Sequence, residues 1–329
     1  DAPETAFQKR MQMFRILVII FLPIFGVAIY AGTGLSQAIA EDRDLTRIKK
    51  DIQVTGEVGS LIHELQNERA EAVYYLTTKS DKQRKVFLDQ INQTNKIITD
   101  LEFLPPYLLN LPNYGSRFAI KSMLDRKRNE IIMNQDINLY EFVKSYGEIC
   151  ETLLKGLVAL ISNIQYDSLV EYSMAYSSFL RAKEYYHLAF SITITRNTLE
   201  GMDRESVLEY TRDIALGDDH LETSFQLFPG LEEDYNHQMS LHPSVQFYVQ
   251  NGKRNVEDLF NATIDFASGN STCENCSSPM HYYFWNMTEY FTVLKLIRIN
   301  TENTIMQLVE GSKSRANTQV CDLIHRYVI

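Results

Sequence analysis

A helical stripe in the first quarter of the chain contains a residue that could bind an anion. Between positions 58 and 76, residues recur every three or four positions, a spacing that places them on one face of a helix. The stripe consists of Val58, Ile62, Leu65, Arg69, Ala72 and Leu76. A buried guanidinium without a partner costs several kcal/mol. Arg69 is therefore expected to contact either a carboxylate of the protein or a bound anion.

The guanidinium chemistry favours a flat ligand, because its planar fork can donate two parallel hydrogen bonds to an oxyanion. Nitrate and nitrite have this shape. The alternative is an internal ion pair between Arg69 and a Glu or Asp across the bundle. Other basic residues that stand inside apolar helical segments are Arg181, Lys183, Arg196 and Arg204.

Enzyme chemistry is not predicted for this segment. The sequence has no nucleophilic triad, no glycine-rich phosphate loop and no metalloprotease signature. His63-Glu64 lacks the second histidine of a zinc helix, because Asn67 stands one turn later. We predict no catalytic residue, no metal and no cofactor. The net charge of -10 also speaks against nucleic acid as a partner.

The elements that position these residues are predicted to be helices. The 329 residues include 14 Gly and 8 Pro, spread thinly over long apolar-periodic segments, which favours an all-α fold. One helix continues from an apolar N-terminal run into the Arg69 stripe, and a turn follows at Lys79-Ser80-Asp81. Shorter helices are expected around 231–250 and 253–267. Two antiparallel four-helix bundles that share long helices would accommodate this length.

An uninterrupted apolar run at residues 16–31 is the strongest topological signal. About twenty apolar residues cross a bilayer, so we predict a transmembrane helix at 14–35 after a cytoplasmic flank at 1–13. The alternative is a cleaved signal peptide. A helical sensor domain is predicted at 36–310. Residues 311–329 are predicted to be a juxtamembrane helix that leads to a second membrane crossing.

Glycosylation signals place the chain beyond the anchor outside the cell, at the plasma membrane. Sequons occur at Asn92, Asn261, Asn270, Asn275 and Asn286. Lys9, Arg10 and Arg15 precede the apolar run, which also favours a cytoplasmic N-terminus. The four cysteines are compatible with two disulfides, and the CxxC at Cys273 and Cys276 is predicted to form a local one. Zinc or redox chemistry is the alternative for that motif.

Two segments resemble the signatures of a known family. His63-Glu64-Leu65-Gln66-Asn67-Glu68-Arg69 is similar to the first signature of the NIT (nitrate- and nitrite-sensing) domain family, and Ala175–Glu184 resembles the second. The resemblance covers about residues 50 to 310. It implies two four-helix bundles that bind a small anion through arginines. In animals, such domains precede receptor guanylate cyclases.

The chain departs from the family pattern at two places. Ala70 stands where the first signature usually has Gly, and Ala189-Phe190-Ser191 replaces a second Glu-Arg-Ala. Arg69 therefore matches a family arginine, whereas Phe190 occupies the place of the other. Arg181, Lys183 or Arg196 would have to substitute for it, so the predicted anion-binding residues are Arg69, Arg181, Lys183 and Arg196.

The resulting hypothesis is a membrane receptor whose extracellular region senses a nitrate- or nitrite-like anion. Its flanking helices would signal to a cytoplasmic guanylate cyclase, and such an output requires a homodimer. The alternative is a ligand-blind structural or dimerisation ectodomain in which Arg69 forms an internal ion pair.

Overall fold

A computed structural model describes residues 6–133, 137–164, 167–197, 204–254 and 279–328. Within these ranges every regular element is an α-helix and no strand occurs, so the predicted all-α fold is confirmed. The helices are α1 (Ala6–Thr78), α2 (Asp81–Asp100), α3 (Pro106–Leu109), α4 (Arg117–Met133), α5 (Leu139–Ile161), α6 (Asp167–Asn197), α7 (Arg204–Leu227), α8 (Pro229–Ser240), α9 (Pro243–Arg254) and α10 (Pro279–Val328).

The first helix combines the apolar run with the Arg69 stripe. It continues for 73 residues, with Pro23 inside it. The apolar part of this helix has no buried residue, and the helix is long and apolar enough to cross a membrane. Lys79, at φ 49°, ends α1 at the predicted turn. The predicted continuity from the apolar run to Arg69 is confirmed.

The chain divides into two compact units. The smaller consists of residues 1–50 with 306–329, and it contains an exposed ion pair between Lys49 Nζ and Glu310 Oε1 at 2.7 Å. The larger consists of residues 51–305 and contains the Arg69 stripe. It lies inside the predicted sensor region, 36–310.

Within the larger unit, α1 is the helix that the others share. Side chains of five helices hydrogen-bond to it: Gln90 of α2, Arg128 of α4, Tyr146 of α5, Glu184 of α6 and Lys295 of α10. In addition, α6 packs on α5 and α7. These contacts are compatible with the predicted arrangement of two four-helix bundles that share long helices.

The shorter helices differ from the prediction. Instead of a helix at 231–250, α8 ends at Ser240 and α9 begins at Pro243. The reason is Pro243, because a proline disfavours the helical conformation of the residue before it but suits the first turn of a new helix. Most of the predicted helix at 253–267 lies outside the described residues.

Gly217 allows α7 to approach α6 closely. A Cβ added at Gly217 would lie 2.6 Å from Cε1 of Tyr186, which is buried. The Tyr186 hydroxyl donates a hydrogen bond to Asp218 Oδ1 at 2.7 Å. The Tyr186 ring is fixed by the backbone of α6 at one end and by the hydrogen bond to Asp218 at the other. It therefore has little room to move away from a new methyl group.

We therefore expect Gly217→Ala to destabilise the protein by about 1–3 kcal/mol through overpacking, even though Ala is the better helix former. Chemical denaturation followed by circular dichroism would measure the change. Gly311→Ala is the matched control, because no atom lies within 4 Å of a Cβ at that helical glycine. Equal stability of the two variants would contradict the close-approach explanation.

Candidate functional site

The Arg69 stripe is buried, as its periodicity predicts. Arg69 is 0% exposed, and Val58, Leu65 and Ala72 are equally inaccessible. The guanidinium contacts a carboxylate of the protein, Glu184 on α6, with Nη1 donating to Oε1 at 2.8 Å and Nη2 to Oε2 at 3.5 Å. Burial lowers the pKa of Arg69, but the charge and hydrogen bond of Glu184, together with the charges of Cys150 and Asp213, outweigh burial and the net pKa is raised. Arg69 is thus held as a cation.

Glu184 is also bound by a second residue of α1. Gln66 Nε2 donates to Glu184 Oε2 at 2.6 Å. Gln66 and Arg69 are three residues apart on α1 and lie on the same face. One carboxylate on α6 therefore joins two side chains of the first helix.

Two atoms of this cluster have no hydrogen-bond partner among the described residues. They are Arg69 Nε, a donor, and Gln66 Oε1, an acceptor. Glu184 occupies the Nη1–Nη2 end of the guanidinium, so Nε is left without an acceptor, and the Nε–Nη2 edge is the one that can donate two hydrogen bonds to a planar anion. A buried polar atom without a partner has a desolvation cost, which a ligand could remove.

Lys183 supplies a second buried cation next to Glu184. Its exposure is 2%, and its Nζ shares a hydrogen bond with Nδ1 of His63 at 2.8 Å. Burial, followed by the charges of Lys183, Lys295 and Arg298, lowers the pKa of His63 well below its ordinary value. The imidazole is therefore neutral at neutral pH, so His63 adds no positive charge beside Lys183 but supplies no negative charge either.

The other buried cations of the described residues are balanced by carboxylates. Arg69 pairs with Glu184 at 2.8 Å, Arg128 with Glu68 at 2.7 Å, and Arg298 with Glu302 at 2.6 Å. For Lys183, the described part of the chain provides no carboxylate within ion-pair distance of Nζ. Burial, then the charges of Arg298 and Lys295, lowers its pKa well below the ordinary value, although Glu184 and Glu64 oppose the shift. Lys183 is thus a buried lysine without a carboxylate partner, and its charged form is disfavoured in the fold.

His187 lies one turn after Lys183 on α6. Its ring stacks on Phe291 with centroids 3.3 Å apart, and neither ring nitrogen has a hydrogen-bond partner among the described residues. Burial, then the charges of Lys183 and Arg69, lowers its pKa well below the ordinary value. A neutral imidazole has one donor and one acceptor nitrogen, so His187 adds one of each to this layer.

The structure separates one other predicted anion-binding residue, Arg181, from Arg69 and Lys183. Arg181 is 27% exposed, and its Nη1 lies 3.9 Å from Glu151 Oε1. It lines a cleft of about 380 Å³ together with residues of α5, α6 and α7. In that cleft the carboxylates of Glu148, Glu151, Glu184, Glu209 and Asp213 outnumber the cations of Lys144, Arg181 and Arg212. The side chain of Arg196 lies outside the described residues.

Phe190 stands where a second arginine was expected from the resemblance. It is 1% exposed and its ring packs against those of Tyr283, Phe284 and Phe291. This aromatic packing would exclude a guanidinium from the position. The buried basic residue of α6 is instead Lys183, which lies two turns before Phe190.

Sequence reasoning missed Glu184, Gln66, His63 and His187 as parts of the site. A signal for the α6 residues was present, because Leu180, Lys183, Glu184, His187 and Ser191 repeat every three or four positions, as a buried stripe does. No comparable signal identifies which carboxylate meets Arg69.

The modification sites are placed only in part. Asn92 is exposed on α2, whereas Asn286 is 3% exposed on α10. Asn261, Asn270 and Asn275 lie outside the described residues, as do Cys273 and Cys276. Cys150 is buried and Cys321 exposed, and both are free thiols, so they do not form a second disulfide.

Comparison with known proteins adds one match. A family model described as "Nitrate and nitrite sensing" (NIT) matches residues 60–305, which covers the whole cluster around Arg69. Neither the curated proteins nor the solved structures gave a match.

The Arg69–Glu184 pair generates a stability prediction. Removing one partner of a buried ion pair leaves an uncompensated charge, so we expect Glu184→Gln to lower the free energy of unfolding by about 3–5 kcal/mol. Chemical denaturation would measure it. Glu130→Gln is the matched control, because Glu130 is 55% exposed and pairs with Lys127 only at 3.8 Å. A Glu184→Gln protein as stable as this control would show that the pair is not a buried constraint.

Proposed function

The chain belongs to the nitrate and nitrite sensing family, and on that premise we propose that it is the sensor region of a membrane receptor that binds a small planar oxyanion beside Arg69 and Lys183. The site lies between α1 and α6 and includes His187. Residues after the apolar run are extracellular in this proposal, and the receptor resides in the plasma membrane.

The observation that carries the proposal is a buried lysine, Lys183, that has no carboxylate partner among the described residues. The other three buried cations have carboxylates at 2.6 to 2.8 Å, whereas Lys183 has only the neutral ring of His63. An isolated buried charge is strongly disfavoured. A monovalent anion would balance it and would stabilise the protonated lysine.

In this proposal the guanidinium of Arg69 orients the bound anion. Glu184 leaves its Nε edge without a partner, and that edge can donate two parallel hydrogen bonds to a flat ligand. Nitrate and nitrite present two oxygens in one plane. The combination of a point charge from Lys183 and a planar fork from Arg69 favours small trigonal or bent oxyanions over spherical chloride.

Signalling would begin in α1, since this helix carries both Arg69 and the apolar run. An anion that binds one packing of α1 and α6 more tightly would shift the population toward it. The flanking helices α1 and α10 would pass this change to the cytoplasm. We propose a guanylate cyclase as the output and a homodimer as the active assembly, following the family resemblance.

The second candidate is a ligand-blind structural or dimerisation ectodomain. The Arg69–Glu184 pair favours it, because an internal ion pair at Arg69 is what that function requires. It offers no role for the charge of Lys183 or for the unpartnered atoms of Arg69 and Gln66. Anion titration distinguishes the two functions.

Lys183→Met tests the proposal. Met retains the aliphatic stem without the charge, so we expect the variant to be at least as stable as the wild type and its affinity for nitrate to fall by at least about tenfold, since the charge partner is lost. Isothermal titration of the full chain in detergent with nitrate and nitrite, at constant ionic strength, would measure both affinities. Lys96→Met, at an exposed position of α2, is the matched control.

Two outcomes would reject anion sensing at this site. One is the absence of binding heat with the wild-type chain. The other is a Lys183→Met protein that binds nitrate as tightly as the Lys96→Met control.

The lowered pKa of Lys183 predicts a pH dependence. In the unfolded chain a lysine keeps its proton to a higher pH than Lys183 does in the fold. The stability of the anion-free protein should therefore rise with pH between these two pKa values. An anion binds the protonated form, so nitrate binding should take up protons and weaken as pH rises. Titrations in buffers of different ionisation enthalpy would detect the uptake, and its persistence in Lys183→Met would contradict the assignment to this lysine.

A further inference from the structure

We propose that the site selects an oxyanion that also donates a hydrogen bond, of which bicarbonate is the simplest, through the acceptor oxygen of Gln66. The inference rests on the proposed function and names the ligand of the same site. It is carried by the buried atoms of Gln66, Arg69 and His187 that have no partner among the described residues.

The orientation of the Gln66 amide is fixed by its neighbour. Nε2 lies 2.6 Å from Glu184 Oε2, a distance at which a carboxylate oxygen requires a donor. Turning the amide over would bring two acceptor oxygens together. Oε1 is therefore the end that remains, and it is a buried acceptor on a residue that is 0% exposed.

Arg69 presents the complementary donor. Its Nη2 and Gln66 Nε2 approach the same atom, Glu184 Oε2, at 3.5 and 2.6 Å. The two unpartnered atoms, Arg69 Nε and Gln66 Oε1, thus belong to side chains that meet at one carboxylate oxygen. A ligand at this place has to accept from the guanidinium and donate to the amide oxygen.

His187 also requires both a hydrogen-bond donor and a hydrogen-bond acceptor from its surroundings. Its ring is 0% exposed and stacked on Phe291, so its nitrogens cannot reach solvent. As a neutral imidazole it has one nitrogen that needs a donor. The buried layer therefore contains at least two unpartnered acceptors in addition to its donors.

These acceptors distinguish between anions of similar shape. Nitrate, nitrite and acetate only accept hydrogen bonds, so each would leave Gln66 Oε1 unpaired. Bicarbonate is planar and singly charged like nitrate, but one of its oxygens carries a hydrogen. It can accept from Arg69 Nε, donate to Gln66 Oε1 and balance Lys183. A site with a buried polar group discriminates strongly against ligands that leave the group unpaired.

The test is a ligand series on the full wild-type chain in detergent, titrated near neutral pH in a sealed calorimeter. Bicarbonate should bind at least about tenfold more tightly than nitrate or acetate, as expected from one buried acceptor that is left unpaired. In Gln66→Met, the ratio of bicarbonate affinity to nitrate affinity should fall to about one, and this ratio is the readout because Gln66 also contacts Glu184. Gln93→Met, an exposed glutamine of α2, should retain the wild-type preference.

Each outcome decides the inference. Equal or weaker binding of bicarbonate by the wild type overturns it, and indicates that a buried water satisfies Gln66, while nitrate binding leaves the proposed function intact. A preference for bicarbonate that survives in Gln66→Met also overturns it. If no anion binds, the proposed function fails as well. Should Gln66→Met not fold, the wild-type series alone decides between the hydroxyl-bearing and hydroxyl-free anions.

Discussion

The need to pair every charge buried inside a helical bundle is the constraint on which the larger unit depends. Three charged residues within two turns of α1 each reach a different helix. Glu64 meets Lys295 on α10, Glu68 meets Arg128 on α4, and Arg69 meets Glu184 on α6. Because each pair allows only one rotation and one height of its partner helix, the pairs determine how the helices register around α1.

Such pairs contribute more to specificity than to net stability. The desolvation of two charges offsets much of their attraction, so an apolar replacement of the whole pair is often neutral, whereas removal of one partner is costly. The apolar stripe of α1 supplies the burial, with Val58, Leu65 and Ala72 inaccessible to solvent. The charged residues between these positions exclude alternative packings that would place a carboxylate or a guanidinium against an apolar surface.

Local periodicity explains what the sequence could predict. It identified the all-α fold, the continuity of α1 and the burial of Arg69, because each depends on residues close together in the chain. It did not identify Glu184, because a partner 115 residues away is set by the packing of α6 rather than by spacing. The sequence also could not predict that Lys183 lacks a carboxylate partner, because this depends on which carboxylates pair with the neighbouring cations in the folded protein.

The missing carboxylate partner of Lys183 is the feature that the proposed anion sensor requires and a purely structural bundle does not. A bundle whose buried charges all have partners gains nothing from a small ion, so an anion cannot favour one of its packings. Here Glu184 holds the end of the Arg69 guanidinium, and Lys183 next to it lacks a carboxylate. The aromatic ring of Phe190 occupies the interior two turns later, where it packs against Phe291. The buried polar atoms without a partner are therefore concentrated at His187, Arg69 Nε and Gln66 Oε1, beside Lys183. A ligand bound there would add to the contacts between α1 and α6 that Arg69–Glu184 and Lys183–His63 already make.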